Sequence, residues 1–408
     1  MNYELKPNTS AGAQLIAIVT SEISALREAA EQSDRTGEMP RARYEALQAK
    51  GCAAAFVPEE LGGLGLTSVH DWLLGIAALA RGDGSVAIAL NMHLAVSRGM
   101  AQAYRAAIAQ GQETRTSEAT LRAIGKGEML ICATATERGT DNLHPFTEAV
   151  ASEDGWLING QKMFVTMSPI ATHLGMNLRM RDDEGDYLAT TLMPIDTPGL
   201  IPQNDWDALG MRGSGSQAVH FENVSLPRRA VRRLGPWGEW SPGVLINRTL
   251  GNLPLVAAFL GIAEHAYEIA LDSVGRQKRV DRPLGTQPGV QNIIGEMTIE
   301  LAKCRSMLTA AGKQADDVLD DWAGYTPDLD TAHNLMSDYQ CAKAVINRGA
   351  IAIVNNALDV VGGAGYMSAN VLSRLYRDVR AGPFMQPYSP AELPGYVGKV
   401  ALGYPPVD

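Results

Sequence analysis

Apolar residues recur at helical spacing through the first third of the chain. Leu15, Ile18, Val19, Ile23 and Leu26 share one face of a predicted helix, with Glu, Arg and Ser on the rest. Pro40 opens the next helical segment and Gly51 closes it, the usual asymmetry of helix ends. After the turn-rich PEELGGLGL, apolar stretches over Ser68–Arg81 and Gly84–Ala109 predict two further helices. The texture changes near residue 130. Between Met129 and Pro227, short β-rich runs alternate with turns. WLING follows Glu-Asp-Gly at 153–155, and MNLRM and YLATTLM flank the acidic turn at 182–186. Val219, Phe221 and Val224 then alternate with polar neighbours. Such spacing predicts a small barrel or sandwich rather than βαβ units. From Ser241 long amphipathic helices return, over 243–277, 288–320, 329–361 and 367–377.

The order predicts an α+β chain of three parts: a helical domain over 1–128, a central β-barrel-like domain over 129–240, and a C-terminal four-helix bundle over 241–408. The glycine clusters GGLGL, GSGS and GGAGY do not each join a parallel strand to a helix, which disfavours a Rossmann dinucleotide site. There is no internal repeat.

Composition narrows the classes. A chain of 408 residues with 46% hydrophobic and 20% charged residues can bury a core in two or three domains. The net charge of −10, without a Lys/Arg-rich stripe, argues against a nucleic-acid partner. The sequence shows no uninterrupted apolar run of transmembrane length and no basic-then-apolar leader, so no membrane partner and a cytoplasmic location are expected. Cys52, Cys132, Cys304 and Cys341 are scattered, without metal or redox spacing, and are expected as reduced structural thiols.

Several motifs stand in a recognisable order. CATATERGTD (132–141), NGQKMFVT (159–166) and GMRGSGSQAVHFENVSLP (210–227) are followed by GGAGY (362–366) and RLYRD (374–378). With PEELGGLGL and ARGDGSVAIAL near the start, this series resembles the acyl-CoA dehydrogenase family from about Phe56 to Gly403. The resemblance implies a flavoprotein oxidoreductase, FAD as cofactor, and a homodimer or homotetramer built on the C-terminal bundle. It also implies an acyl thioester of CoA or of acyl-carrier protein as substrate, and an electron-transfer partner.

By the same resemblance Phe164 is the wall beside the flavin ring, Thr166 lies at the ring's N5 edge, and Thr134 is another flavin contact. Phe164 read alone is a strand core residue. Thr140 matches a phosphate ligand, or else caps a turn. GMRGSGS is either a backbone anion site or a tight turn. Its Arg212 is a candidate for the cofactor or the substrate thioester, or a structural partner of a carboxylate. Gly362 and Gly363 fall at the cofactor diphosphate. There the family's Arg and Phe are replaced by Gln277 and Val280, with Arg276 and Arg279 nearby. Asp359 stands where a Gln is usual, and a carboxylate about 4 Å from a phosphate costs about 1–4 kcal/mol. Its other reading is a pair with Arg374 or Arg380. These changes leave room for FMN or a transiently bound reduced flavin.

The reaction centre departs furthest. In many family members a Glu at the position of Gln386 removes the substrate α-proton; a carboxamide cannot accept it. The family's alternative base position is Gly251, followed by Asn252, and neither substitutes. Tyr388 and Glu392 are the nearest ionisable groups in sequence, with Tyr388 also a candidate substrate contact. The same fold is shared by monooxygenases similar to dibenzothiophene monooxygenase. These take reduced flavin from a separate flavin reductase and use His, Ser and amide groups with oxygen. For that chemistry the candidates are His93, Ser168 and Gln386. His93 is otherwise a satisfied core histidine, and Ser168 a turn residue. Three functions follow: an acyl thioester oxidoreductase lacking the usual Glu, a two-component monooxygenase, and a silent scaffold subunit.

Overall fold

A computed structural model describes residues 3–276, 278–279, 282–322 and 327–406. Five helices come first: α1 (Ser10–Thr36), α2 (Arg41–Ala49), α3 (Val69–Gly82), α4 (Gly84–Ala109) and α5 (Arg115–Gly125). Their starts are set by short polar side chains. Thr9, Ser68 and Asp83 each accept a hydrogen bond from a backbone N–H in the first turn of α1, α3 and α4. Asp83 thus begins α4 directly after α3 ends.

Eight strands follow: β1 (Ile131–Thr134), β2 (Glu148–Ala151), β3 (Gly155–Val165), β4 (His173–Asp182), β5 (Gly185–Pro194), β6 (Leu200–Pro202), β7 (Gln217–Pro227) and β8 (Val231–Pro236). They form one sheet in the order β6-β7-β3-β2-β4-β5-β8, with β1 also paired to β4. Two of the pairings, β1 with β4 and β2 with β4, are parallel. Each of these joins strands separated by long connections, which local hairpin spacing does not reveal.

The C-terminal helices are α6 (Pro242–Arg276), α7 (Pro288–Trp322), α8 (Leu329–Val361), α9 (Val371–Val379) and α10 (Leu393–Leu402). The predicted fourth helix begins four residues late, at Val371, because Asn370 caps it by accepting from Leu372 N. Among the described residues the bundle is therefore three long helices with two short ones. α5 and α10 were not expected.

α6 is the spine of the molecule. It packs against α3, α4, α7 and α8, so the N- and C-terminal helices share one core. Gly261 permits the closest approach: a Cβ there would lie 2.2 Å from Ala77 O on α3. Two helices, Pro242–Arg276 and Leu329–Ala364, do carry windows apolar enough to cross a membrane by length and composition, unlike the sequence expectation. The first window is 78% buried within the protein and the second 44%. Core helices of this length read as apolar because neighbours cover more than one face.

Candidate active site

A cavity of about 2270 Å³ opens where β1, β3, α4, α6 and the segment after α9 meet. Most ligand pockets hold about 300–1,000 Å³, so this one can take a cofactor and a substrate together. Thr134, Phe164, Thr166 and Gln386 all line it. Residues 2 to 252 positions apart in sequence thus share one wall.

Phe164 is 51% exposed and sits at φ 51°, a left-handed conformation that non-glycine residues rarely hold. Trp206 meets its ring edge-on, with centroids 6.1 Å apart. A large ring held in a strained conformation and bare toward a cavity is a wall for a flat ligand. Thr134 Oγ1 donates to Met163 O and accepts from Thr136 N, which ties β1 to β3. Thr166 Oγ1 lies 2.9 Å from Ser216 Oγ, and Ser216 lies 2.7 Å from Ser214 Oγ. This hydroxyl chain runs from the cavity wall inward.

Gln386 reaches across from the C-terminal segment. Its Nε2 donates to Thr136 Oγ1 at 2.7 Å. The turn that carries it is held by α8: Tyr339 OH donates to Gln386 O at 2.6 Å, and Lys343 Nζ donates to Met385 O and Tyr388 O. Burial pushes the Lys343 ammonium down to about 8, with the charge of Glu392 acting the other way. Tyr339 and Lys343 lie outside the motifs and Thr136 lies within CATATERGTD without a role read for it; only the tertiary structure brings them to Gln386.

Behind Thr136, Glu137 forms a buried ion pair with Lys162, Oε1 to Nζ at 2.5 Å. Its carboxylate also accepts from Phe146 N and Thr147 N. The Lys162 pKa is pushed down by burial and held up by Glu137.

Other sequence candidates are placed elsewhere. His93 is fully buried and outside the cavity lining. Its Nε2 bonds Ala53 O at 2.9 Å and its Nδ1 accepts from Ile131 N at 3.0 Å, so both ring nitrogens are engaged by the backbone. Burial pushes it down to about 4, against the pull of the Ala53 bond. An unfolded imidazole titrates near 6.5, so between these values the unfolded chain binds the extra proton. Stability therefore falls as the pH drops through that window. His265, pushed to about 3 by burial and by Arg27, Arg374 and Arg81, acts in the same direction. His93→Gln is expected to flatten the slope by up to about 1.4 kcal/mol per pH unit. Urea midpoints measured at several pH values test this, and an unchanged slope would contradict it.

Ser168 is buried, donates to Gly215 O at 3.4 Å and does not line the cavity, so it is a turn residue. Thr140 Oγ1 donates to His144 O at 2.5 Å and caps a turn. Arg212 donates to Asp34 O and pairs with Asp207 at 2.9 Å, away from the cavity. It belongs to a clasp completed by the RLYRD motif: Arg377 pairs with Asp34, and Asp378 accepts from Met211 N at 2.6 Å. GMRGSGS is accordingly a packed turn, since a Cβ on Gly210 would meet Arg377 C at 2.5 Å. Tyr388 stacks on Tyr396 with centroids 4.3 Å apart and is not among the residues lining the cavity. Glu392 is exposed and accepts from Ser389 N, which removes it as a base.

Asp359, Gly362 and Gly363 are exposed and off the cavity. Asp359 pairs with neither Arg374, which lies 3.7 Å from Asp378, nor Arg380. Gln277, Val280 and the side chain of Arg279 lie outside the described residues.

An aromatic wall, a hydroxyl-lined edge and a cavity of this size fit a flavin and define a flavin-dependent oxidoreductase. Residues 17–104, 131–224 and 249–386 match the N-terminal, middle and C-terminal domains of acyl-CoA dehydrogenase. Amino sugar nitrososynthase DnmZ of Streptomyces peucetius is 34% identical over 400 residues, covering 98% of this chain and 95% of that protein. The structure of KijD3 in complex with FMN and dTDP-3-amino-2,3,6-trideoxy-4-keto-3-methyl-D-glucose is 31% identical. It superposes with a TM-score of 0.88, covering 98% of this chain and 95% of that one. Dibenzothiophene monooxygenase (TdsC) from Paenibacillus sp. A11-2, 22% identical with a TM-score of 0.82 over 97% and 99% of the two chains, shares the fold. The chain belongs to the acyl-CoA dehydrogenase family.

Proposed function

We propose that this protein is a reduced-flavin-dependent monooxygenase that oxidises the amine nitrogen of a nucleotide-linked amino sugar. One observation carries the reading: among the described residues lining the cavity, the carboxylates are Glu113 and Asp320, both exposed, and the base position holds Gln386. Removal of a thioester α-proton needs a buried base at that end. Oxygen transfer to an amine does not. The nitrososynthase DnmZ and the KijD3 complex support the choice of substrate class.

When bound and reduced, a flavin supplies the two electrons that let dioxygen give one oxygen atom to the amine, the other leaving as water. Phe164 provides the wall for its ring, Thr134 and Thr166 the edge contacts, and Gln386 a fixed carboxamide facing them. FMN is favoured over FAD, as FMN is the flavin in the KijD3 complex. A flavin reductase is the expected partner, and a homodimer or homotetramer the expected assembly.

The test supplies reduced FMN, isotopically heavy dioxygen and a dTDP-linked amino sugar. The expected result is a product carrying heavy oxygen on nitrogen. Bleaching of oxidised flavin by an acyl-CoA under anaerobic conditions, with no oxygen entering the amino sugar, would overturn the reading.

A further inference from the structure

Arg248 lies on α6 and lines the cavity. Its Nη2 is buried without a hydrogen-bond partner, and no ion pair reaches its guanidinium among the described residues. The carboxylates in the neighbourhood are already engaged. Glu137 is held by Lys162 and two backbone N–H groups, Asp141 by His144, and Glu392 by Ser389 N. The other ionisable groups facing Arg248 are the phenols of Tyr339 and Tyr388 and the ammonium of Lys162. Both phenols have raised pKa values, chiefly through burial, so neither is an anion near neutral pH.

Arg98, a buried arginine that also lines the cavity, differs. Its guanidinium donates to Gln102 Oε1 and Asn247 Oδ1, so neutral carboxamides hold it in place. A guanidinium left without any acceptor costs free energy unless a ligand provides one. The planar fork of Arg matches two oxygens of a phosphoryl group, which an ammonium cannot do as well.

We propose that Arg248 binds a phosphoryl group of a ligand in the cavity, as a forked contact made only when the ligand is present. Assigning that phosphate to the substrate rests on the nucleotide-sugar reading above; assigning it to the flavin does not. Either source leaves the local chemistry the same. With Gln in place of the usual Glu, position 386 offers this guanidinium no carboxylate, and a ligand anion can take that place.

Four probes separate the possibilities: dTDP, thymidine, FMN and riboflavin, each titrated calorimetrically into wild-type protein and Arg248→Met. The expected result is a weakening of dTDP by about ten- to a hundredfold, with thymidine, riboflavin and FMN unchanged. A loss confined to FMN keeps the phosphoryl contact and assigns it to the flavin. If wild-type protein binds dTDP no better than thymidine while the FMN loss appears, the nucleotide-sugar reading fails and the Arg248 contact stands. Unchanged affinity for both phosphorylated probes, equal losses for phosphorylated and unphosphorylated probes, or wild-type binding of none of the four, overturns the proposal. Should Arg248→Met fail to fold, Arg248→Gln, which keeps a polar group for the neighbours, carries the same comparison.

Discussion

Glu137→Leu is expected to lower folding stability by about 3–5 kcal/mol. Glu137 and Lys162 are both buried, and their contact at 2.5 Å is the only charge compensation Lys162 has among the described residues. Removing the carboxylate strands an ammonium in the interior and also orphans Phe146 N and Thr147 N, which it accepts from. Each loss carries a desolvation penalty that leucine packing does not offset. The effect should appear as a lower urea midpoint at unchanged slope. The double variant Glu137→Leu/Lys162→Met should recover much of the loss, because no charge then remains to be desolvated. A single-variant loss of less than about 1 kcal/mol, the range of an exposed pair, would show that the ion pair is not buried in solution. The neighbouring residue is Thr136, so the same change should loosen the acceptor that holds Gln386.

Gln386→Glu is expected to restore α-proton abstraction. A positioned carboxylate base contributes a rate factor of about a hundred to ten thousand. The variant, loaded with oxidised flavin and mixed anaerobically with an acyl-CoA it is shown to bind, should therefore bleach faster than wild type by that order. Amine oxidation should fall by at least about tenfold, equivalent to about 1.4 kcal/mol of barrier. The carboxamide's N–H donation to Thr136 is lost, and a negative charge enters a cavity end where Arg248 stands without a carboxylate. The carboxylate would instead accept from the Thr136 hydroxyl and compete for that guanidinium. No gain in bleaching by a variant that binds acyl-CoA would remove Gln386 from the base position.

Much of this was legible in the linear pattern, and the exceptions have physical reasons. The long helices were readable because apolar residues at 3.6-residue spacing persist over many turns. α8 starts and ends where the pattern placed it, at 329–361. The short α5 and α10 escape the pattern because eleven and ten residues give too few repeats for a clear period. Alternation within strands marked a β-region, but the parallel pairings of β1 and β2 with β4 are long-range choices that no local period encodes. At the site, Phe164, Thr134, Thr166 and Gln386 were identified through their motifs, and the cavity gathers all four. His93, Ser168, Thr140 and Arg212 bond to the backbone or to carboxylates of the fold, and Tyr388 stacks on Tyr396. Whether a His or Arg serves a ligand or the backbone depends on which acceptors surround it. That is a property of packing between elements distant in sequence.

The sequence by itself determined the family, the three-part order of helices, strands and helices, and the loss of the carboxylate at 386. Each is written in residue identity or in local periodicity. Tertiary structure alone decided that Gln386 is fastened to Thr136 and held from behind by Tyr339 and Lys343. It also decided that RLYRD closes a clasp on Asp34 and Met211, and that Arg248 Nη2 has no acceptor among the described residues, in a cavity whose carboxylates are exposed. Hydrogen bonds and desolvation act over a few ångströms in space, across separations of up to 343 residues along the chain.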